Sequence, residues 1–263
     1  MQQRISYTGG VEKIVAQPQQ EGPEQFGAFN RFRTVDLSHH LSPHAPHWPG
    51  DPPTEFKPWS EFERDGYYLR RFSMSEHGGT HLTAPASYYP DGRTVEQYTA
   101  AELFKPAVVI DVRDRCRSDQ DYALTVEALA QWESRHGKIP PDSLVLLHSG
   151  WHQHWNDPDA YLGTDADGTL HFPGFGLDAA TLLISERGVA GLGTDTAGVE
   201  PGIDSSLAVS RLVLSRPRIV LENLANLHQL PPVGAWVLIG ALKLAGGSGS
   251  PAAVTALLAT AKT

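Results

Sequence analysis

The chain has one cysteine, Cys116, in 263 residues. An internal disulfide and a cysteine-rich zinc site are therefore excluded. Long apolar runs are also missing. The longest, Ala235 to Leu242, is far short of the roughly 20 residues that span a bilayer. The opening stretch Met1-Gln-Gln-Arg-Ile-Ser-Tyr7 lacks the apolar segment of a secretory signal, so a cytoplasmic protein is expected. Positive charge is in deficit: 21 Lys and Arg against 30 Asp and Glu give a net charge of -9. That balance opposes a nucleic-acid or anionic-membrane partner and points to a small molecule. With 40% hydrophobic and 19% charged residues, the composition is that of a globular domain. Histidine is what the chain has in quantity, with 12 residues. Any bound metal must then be held by imidazole and carboxylate.

Residues 1–27, rich in Gln, Glu, Pro and Gly, carry no periodic apolar pattern and read as a flexible arm. Residues 28–263 read as one domain. Strand-like runs occur at Arg33–Leu37, Tyr67–Ser73, Ala107–Val112, Ser143–His148, Val189–Gly193, Arg218–Leu221 and Ala235–Leu244. Helical signals lie between them. Thr94 and Thr99 open capping-box spacings, Thr125 caps a helix to His136, and Asp178 caps one to Arg187. Ser250-Pro251 followed by Val254, Leu257 and Leu258 predicts a last helix. Strands interleaved with helices argue for an α/β or mixed α+β class. Regions His39–Trp59 and Asn156–Gly176 read as irregular and as candidates for function.

Three histidine clusters stand out. The first is His77-Gly-Gly-Thr-His81, following a strand. Its glycines oppose a regular helix but let a tight turn bring two imidazoles to one point; the alternative is two polar loop histidines. The second is His39-His40, His44 and His47 ahead of Trp48-Pro-Gly-Asp-Pro. It is either a Pro-rich surface loop or a lid that lays Trp48 over a pocket. The third, His148 to His154, ends an apolar strand, with His152 and His154 read as surface or pocket-wall residues. Asp195 sits at another strand end, where it either orients an imidazole or caps the turn. Glu222 follows Ile219-Val-Leu directly. A carboxylate there is costly to bury unless paired, and Asn223 and Asn226 are candidate partners.

Together these motifs resemble the cyclase family that includes bacterial kynurenine formamidase and isatin hydrolase. The family pattern His-x-Gly-Thr-His-x-Asp-x-Pro-x-His is similar to His77-Gly-Gly-Thr-His81-Leu-Thr83-Ala-Pro-Ala-Ser87. Trp48-Pro-Gly-Asp-Pro, Gly193-Thr-Asp195-Thr, Glu222-Asn-Leu-Ala-Asn-Leu and Gly246-Gly-Ser-Gly-Ser-Pro251 extend the resemblance along the chain. The resemblance implies a swivelling β/β/α fold around a barrel-like sheet, and a homodimer or homotetramer. It also implies divalent metal at the motif histidines and aspartate, and an acid-base role for the last histidine. Here the aspartate position is Thr83, the acid-base position is Ser87, and the second-metal histidine, twelve residues before Glu222, is Ser210. What remains fits no metal, or one Zn or Mn ion held by His77, His81 and Glu222.

This altered motif resembles most the branch of the family that closes the second and third rings of aromatic polyketides. It implies an aldol cyclase acting on a poly-β-ketone in antibiotic biosynthesis. In that reading His77 or His81 is the base, with Glu222 orienting an imidazole or acting as the base itself and Asp195 assisting. Thr83 and Ser87 donate hydrogen bonds to carbonyl oxygens alongside Thr80. Trp48, Tyr88, Tyr89, Asn223 and His228 bind substrate. The rival readings are a metal-dependent amidohydrolase acting on a formamide or cyclic amide, and a ligand-binding subunit that turns nothing over.

Overall fold

The computed structural model describes residues 32–260; the arm expected at 1–27 lies outside them. The strands are β1 (Phe32–Asp36), β2 (Glu55–Ser60), β3 (Leu69–Ser73), β4 (His81–Thr83), β5 (Phe104–Asp111) and β6 (Ala123–Leu124). They continue with β7 (Leu144–His148), β8 (Gly174–Phe175), β9 (Gly191–Thr194), β10 (Ile219–Glu222), β11 (Ala235–Ala241) and β12 (Gly249–Ala259). The main sheet runs β1-β12-β11-β5-β7-β9-β10-β4, and β12 also pairs with β4. That last pairing closes a seven-stranded barrel, with β1 laid along β12. The fold class is the mixed α/β single domain that the sequence suggests.

The parallel strands β5, β7, β9 and β10 are continuous apolar runs because both their faces are covered. Alternate residues serve two cores. Val109, Leu144, Leu146 and Leu221 point into the barrel with Leu82, Val237 and Val254. Val108, Ile110, Val145, Leu147 and Val220 pack outward against helical residues such as Leu129, Trp132, Leu183 and Val213. The helix Val126–His136 starts where its cap predicts, with Ala128 N donating to Thr125 Oγ1 at 3.2 Å.

Several expectations give way to tertiary pairing. The helix expected after Ser250 is strand β12. Val254, Leu257 and Leu258 fit a helical period, but Ala252, Val254, Ala256 and Leu258 also fit a period of two, and that is the buried set. Backbone pairing to β11 on one side and β1 on the other decides between them. Asp178 lies inside the first turn of helix Leu177–Leu182 instead of capping it. The Thr99–Glu102 capping box forms without a helix behind it: Thr99 N and Oγ1 donate to Glu102 Oε2 at 2.8 and 2.7 Å. Thr94 makes no side-chain cap to the short turn Val95–Gln97. In the Pro-rich region, Glu55–Ser60 pairs with β3 as a separate two-stranded ribbon, where Pro58 is tolerated. The second irregular region contains the short helix Pro158–Leu162, capped by Asp157, and strand β8.

Candidate active site

β4 is only three residues long, yet it closes the barrel and carries the site. Its register sets Glu222 of β10 directly opposite His81, and Gly249 of β12 opposite Thr83. With a side-chain period of two, His81, Thr83 and Glu222 share one face. His77 reaches the same place from the turn before β4. That turn needs glycine: Gly79 has φ of +67°, where a side chain is strained. A Cβ on Gly249 would come within 2.6 Å of His77 Cε1, so the imidazole packs flat against bare backbone.

The resulting network is continuous. Glu222 Oε2 lies 2.8 Å from His81 Nε2 and accepts from Thr83 Oγ1 at 3.0 Å. His77 Nδ1 lies 3.2 Å from Thr83 Oγ1, and His77 Nε2 lies 3.0 Å from Ser248 Oγ. Ser248 is held in turn by Glu76. The carbonyl of Gly79 accepts from His81 Nδ1 at 2.9 Å and from Asn223 Nδ2 at 2.7 Å. A proton on Nδ1 leaves Nε2 as a lone pair facing a carboxylate oxygen. Only a shared proton or a cation reconciles two acceptors at 2.8 Å.

His77, His81, Thr83 and Glu222 line one cavity of about 160 Å³. The sequence-expected Trp48, Ser87 and Tyr88 line it as well, so the loop around Trp48 does reach the pocket. His40, His44 and His47 of that loop are not among the lining residues. Four expected residues lie behind or beside the cavity. Thr80 and Asn223 brace the Gly79 turn, with Thr80 Oγ1 donating to Asn223 O at 2.5 Å and Tyr161 OH donating to Asn223 Oδ1 at 2.8 Å. Tyr89 donates its hydroxyl to Arg211 O near the surface. His228 is exposed and stacks on His152. Asp195 is also absent from the lining; it is fully buried, anchors the turn at Ser149 and Gly150 and also faces the His152 imidazole at 3.2 Å, so it does both things expected of it. Neither Asn223 nor Asn226 bonds the Glu222 carboxylate; Asn226 Nδ2 instead donates to Asp36 O.

Sequence reasoning did not name Asp51, Ala197, Gly198, Glu200 and Leu207 as lining residues, and of these Glu200 is the buried acid. It sits in Ala197-Gly-Val-Glu200-Pro-Gly, after β9, and is only 2% exposed. Ser210 N and Oγ donate to its two oxygens at 2.8 and 2.9 Å. Ser210, the position expected to have lost a metal histidine, thus holds a carboxylate. The one sequence signal was an isolated acid in an apolar Gly/Pro stretch. Burial pushes Glu200 up to about 7, with the nearby Glu222 charge adding to that and the Ser210 bonds opposing it. Burial also works to raise Glu222, but hydrogen bonding and charge from His81, with help from His77 and Thr83, hold it below the usual carboxylate value. His77 is lowered by burial and by its neighbour His81, which outweigh Glu222, Asp51 and Glu76. One cavity therefore contains a carboxylate held below the ordinary carboxyl range and a carboxyl held above it.

The resemblance implies divalent metal here, and the donor chemistry tests it. Two imidazoles and one carboxylate are the ligand types of a one-metal catalytic site. His81 also has the backbone-carbonyl support on its other nitrogen that ligating imidazoles use. Thr83 and Ser210 offer only neutral hydroxyls, and both are committed to carboxylates. The donor types suit one cation at His77, His81 and Glu222 and not the two-metal arrangement, but among the described residues the ligand atoms of these three do not all lie within 4.8 Å of one another.

Comparison with known proteins places this geometry. The family described as "Putative cyclase" matches residues 35–201. The isatin hydrolase of Roseibium aggregatum is 32% identical over 242 residues, 85% of this chain and 91% of that protein. The kynurenine formamidase of Bacillus mycoides is 27% identical over 220 residues, 82% of this chain and 93% of that protein. Among solved structures, isatin hydrolase A from Ralstonia solanacearum superposes with a TM-score of 0.83 at 34% identity, covering 92% of this chain and all of that one. An isatin hydrolase bound to the product analogue thioisatinate gives 0.83 at 28% identity, covering 90% of this chain and 96% of that one. These relatives overturn the expectation of a polyketide ring cyclase in antibiotic biosynthesis: they are hydrolases, and none of them acts on a polyketide by name. Thr83 and Ser87 do not mark a different branch of the family. The structure instead shows Thr83 supporting Glu222 and a carboxyl, Glu200, brought to the same cavity as Ser87. The chain is an enzyme that belongs to the family described as "Putative cyclase".

Proposed function

We propose that the protein hydrolyses the C–N bond of an amide in a small aromatic compound, a cyclic amide of the isatin kind or an aromatic formamide. The observation that carries this reading is the placing of two carboxyl groups in one cavity, Glu222 at 2.8 Å from His81 and Glu200 buried and held by Ser210, where burial raises the proton affinity of Glu200 while His81 lowers that of Glu222. Amide hydrolysis needs both states at once. A water molecule must lose a proton as it adds to the carbonyl carbon, and the departing nitrogen must gain one as the C–N bond breaks. The Glu222–His81 pair takes the water proton. Glu200, protonated near neutrality, supplies the proton to nitrogen, the role that a histidine at position 87 has in the family pattern. Thr83 holds the Glu222 oxygen that faces His81.

His77 and Trp48 are two of the cavity walls. A cavity of about 160 Å³ lies below the roughly 300–1,000 Å³ of sites for larger ligands, which favours one or two rings. A divalent cation held by His77, His81 and Glu222 would occupy the lone pairs that otherwise accept the water proton, and would itself supply acidification of the attacking water and polarisation of the amide carbonyl.

The test is to incubate the full-length protein, with and without added Mn²⁺ or Zn²⁺, with isatin and with a formanilide. Consumption of either with stoichiometric carboxylate release is expected. Hydrolysis of neither under both conditions contradicts the reading.

A further inference from the structure

A second group of imidazoles lies outside the active-site cavity and is used by nothing above. His148 is the last residue of β7, and Asp195 directly follows β9. The two strands pair in parallel with Leu147 opposite Thr194, so His148 and Asp195 are the next residues of the same register. The C-terminal edge of adjacent parallel strands is a common place for ligands. His152 folds back over this edge from the turn Trp151–His154.

One donor atom from each of His148, His152 and Asp195 lies within 4.8 Å of the other two. His152 Nδ1 is 3.2 Å from Asp195 Oδ2. Donors at about 2.1 Å from a tetrahedral ion stand roughly 3.4 Å apart, so this pair is already near ligand spacing. Asp195 is pre-oriented: Oδ1 accepts from Ser149 N at 2.9 Å and from Ser149 Oγ at 2.5 Å, and Oδ2 accepts from Gly150 N at 2.8 Å.

The independent observation is an unanswered nitrogen. His148 is 1% exposed, and its Nε2 has no hydrogen-bond partner among the described residues. Leaving such a group buried costs about 1–3 kcal/mol and calls for a cause. Its other nitrogen, Nδ1, faces Asp111 Oδ2 at 3.8 Å, and Arg113 neutralises that carboxylate at 2.7 Å. His228 stacks on His152 with ring centres 5.4 Å apart and lies 6.3 Å from His148. It is exposed and covers the group from the solvent side.

Two imidazoles and a carboxylate select zinc-like ions over calcium or magnesium, which prefer all-oxygen sites.

We propose that His148, His152 and Asp195, closed on the solvent side by His228, form a second metal site that takes a divalent transition ion of the zinc or cobalt kind. Bound there, the ion ties the loop after β7 to the loop after β9. The site shares no ligand with His77, His81 and Glu222 and does not rest on the proposed hydrolysis.

The experiment strips the full-length protein with a chelator and titrates it with Co²⁺. It follows bound equivalents and the visible absorption of the ion. The primary variant is His152→Ala, because His152 is half-buried and the fold survives its loss more readily than that of His148. Relative to wild type, His152→Ala should lose one equivalent, or bind it at least tenfold more weakly. The double variant His77→Ala/His81→Ala should keep that equivalent. Unchanged equivalents and affinity in His152→Ala overturn the proposal, and so does a wild-type protein that binds no Co²⁺. Loss confined to the double variant reports on the active-site cavity alone, and it too overturns the proposal.

Discussion

The molecule carries two groups of imidazoles at strand edges of one barrel, and they differ in how their nitrogens are spent. At the β4–β10 edge, both nitrogens of His77 and of His81 have polar neighbours between 2.8 and 3.2 Å. At the β7–β9 edge, His148 Nε2 has none among the described residues. Carboxylates differ in parallel. Glu222 and Glu200 line a cavity open to a substrate, whereas Asp195 is fully buried and holds two backbone N–H groups. A fully connected network with carboxylates on both sides of neutrality is built to pass protons. A group with an orphaned nitrogen and a pre-oriented carboxylate is built to hold an ion. Counting histidines in the sequence cannot separate these roles; counting partners for each nitrogen can.

The contrast is broken most strongly at the proton-passing edge. Glu222→Gln removes the negative charge between His81 and Thr83, and replaces one acceptor oxygen by a donor, while keeping the volume. Hydrolysis should fall about 10²–10⁴-fold, read as kcat/KM on isatin or a formanilide; a loss under threefold would mean that the carboxylate is structural.

Gly249→Ala sharpens the geometric side. The added carbon would meet His77 Cε1 at 2.6 Å and the Leu82 carbonyl at 2.8 Å. Overpacking of this kind costs about 1–3 kcal/mol, so a lower melting temperature and displaced His77 ring resonances are expected. Wild-type melting together with unshifted His77 signals would show that the turn has slack.

Glu200 links stability to pH with a definite sign. Its folded value, pushed up to about 7, lies above the ordinary carboxyl value, so the folded state holds the extra proton. Its contribution is complete at acid pH and is lost as pH rises through the carboxyl range toward about 7. Wild-type stability should therefore drop by up to about 3 kcal/mol over that interval relative to Glu200→Gln. Urea denaturation of both proteins at the two pH values measures it, and parallel curves would place the Glu200 carboxyl in water.

Ser248→Ala is the mildest change. It removes the hydroxyl between His77 and Glu76 and should cost about 1 kcal/mol, with activity reduced only severalfold. A loss as large as that of Glu222→Gln would move His77 from a wall residue to the centre of the chemistry.

Much of this was legible in the chain. The parallel strands announce themselves as short apolar runs, and His77, His81 and Glu222 stand in a spacing pattern with a strand behind each end. Other parts depend on partners distant in sequence. β12 satisfies helical and strand periods equally over Val254 to Leu258, and pairing with β11 and β1 decides. Glu200 has no pattern at all; Ser210 and Glu222 reach it only once the barrel closes. Asp195 is readable as a strand-end acid, but its partners Ser149 and Gly150 lie on the neighbouring strand's loop. Replacing Asp and His by Thr83 and Ser87 in the motif suggested a change of reaction. The hydroxyl of Thr83 in fact supports a carboxylate that stayed in place.

The most direct test of the central claim is the pH profile of kcat/KM for amide hydrolysis by wild type and Glu200→Gln. Because Glu200 gives up its proton near pH 7, wild-type activity should decline on the alkaline side with an apparent pKa close to that value. Glu200→Gln should be at least tenfold slower and should lack that decline. An identical alkaline limb in both proteins would contradict the assignment of Glu200 as the proton donor in this site.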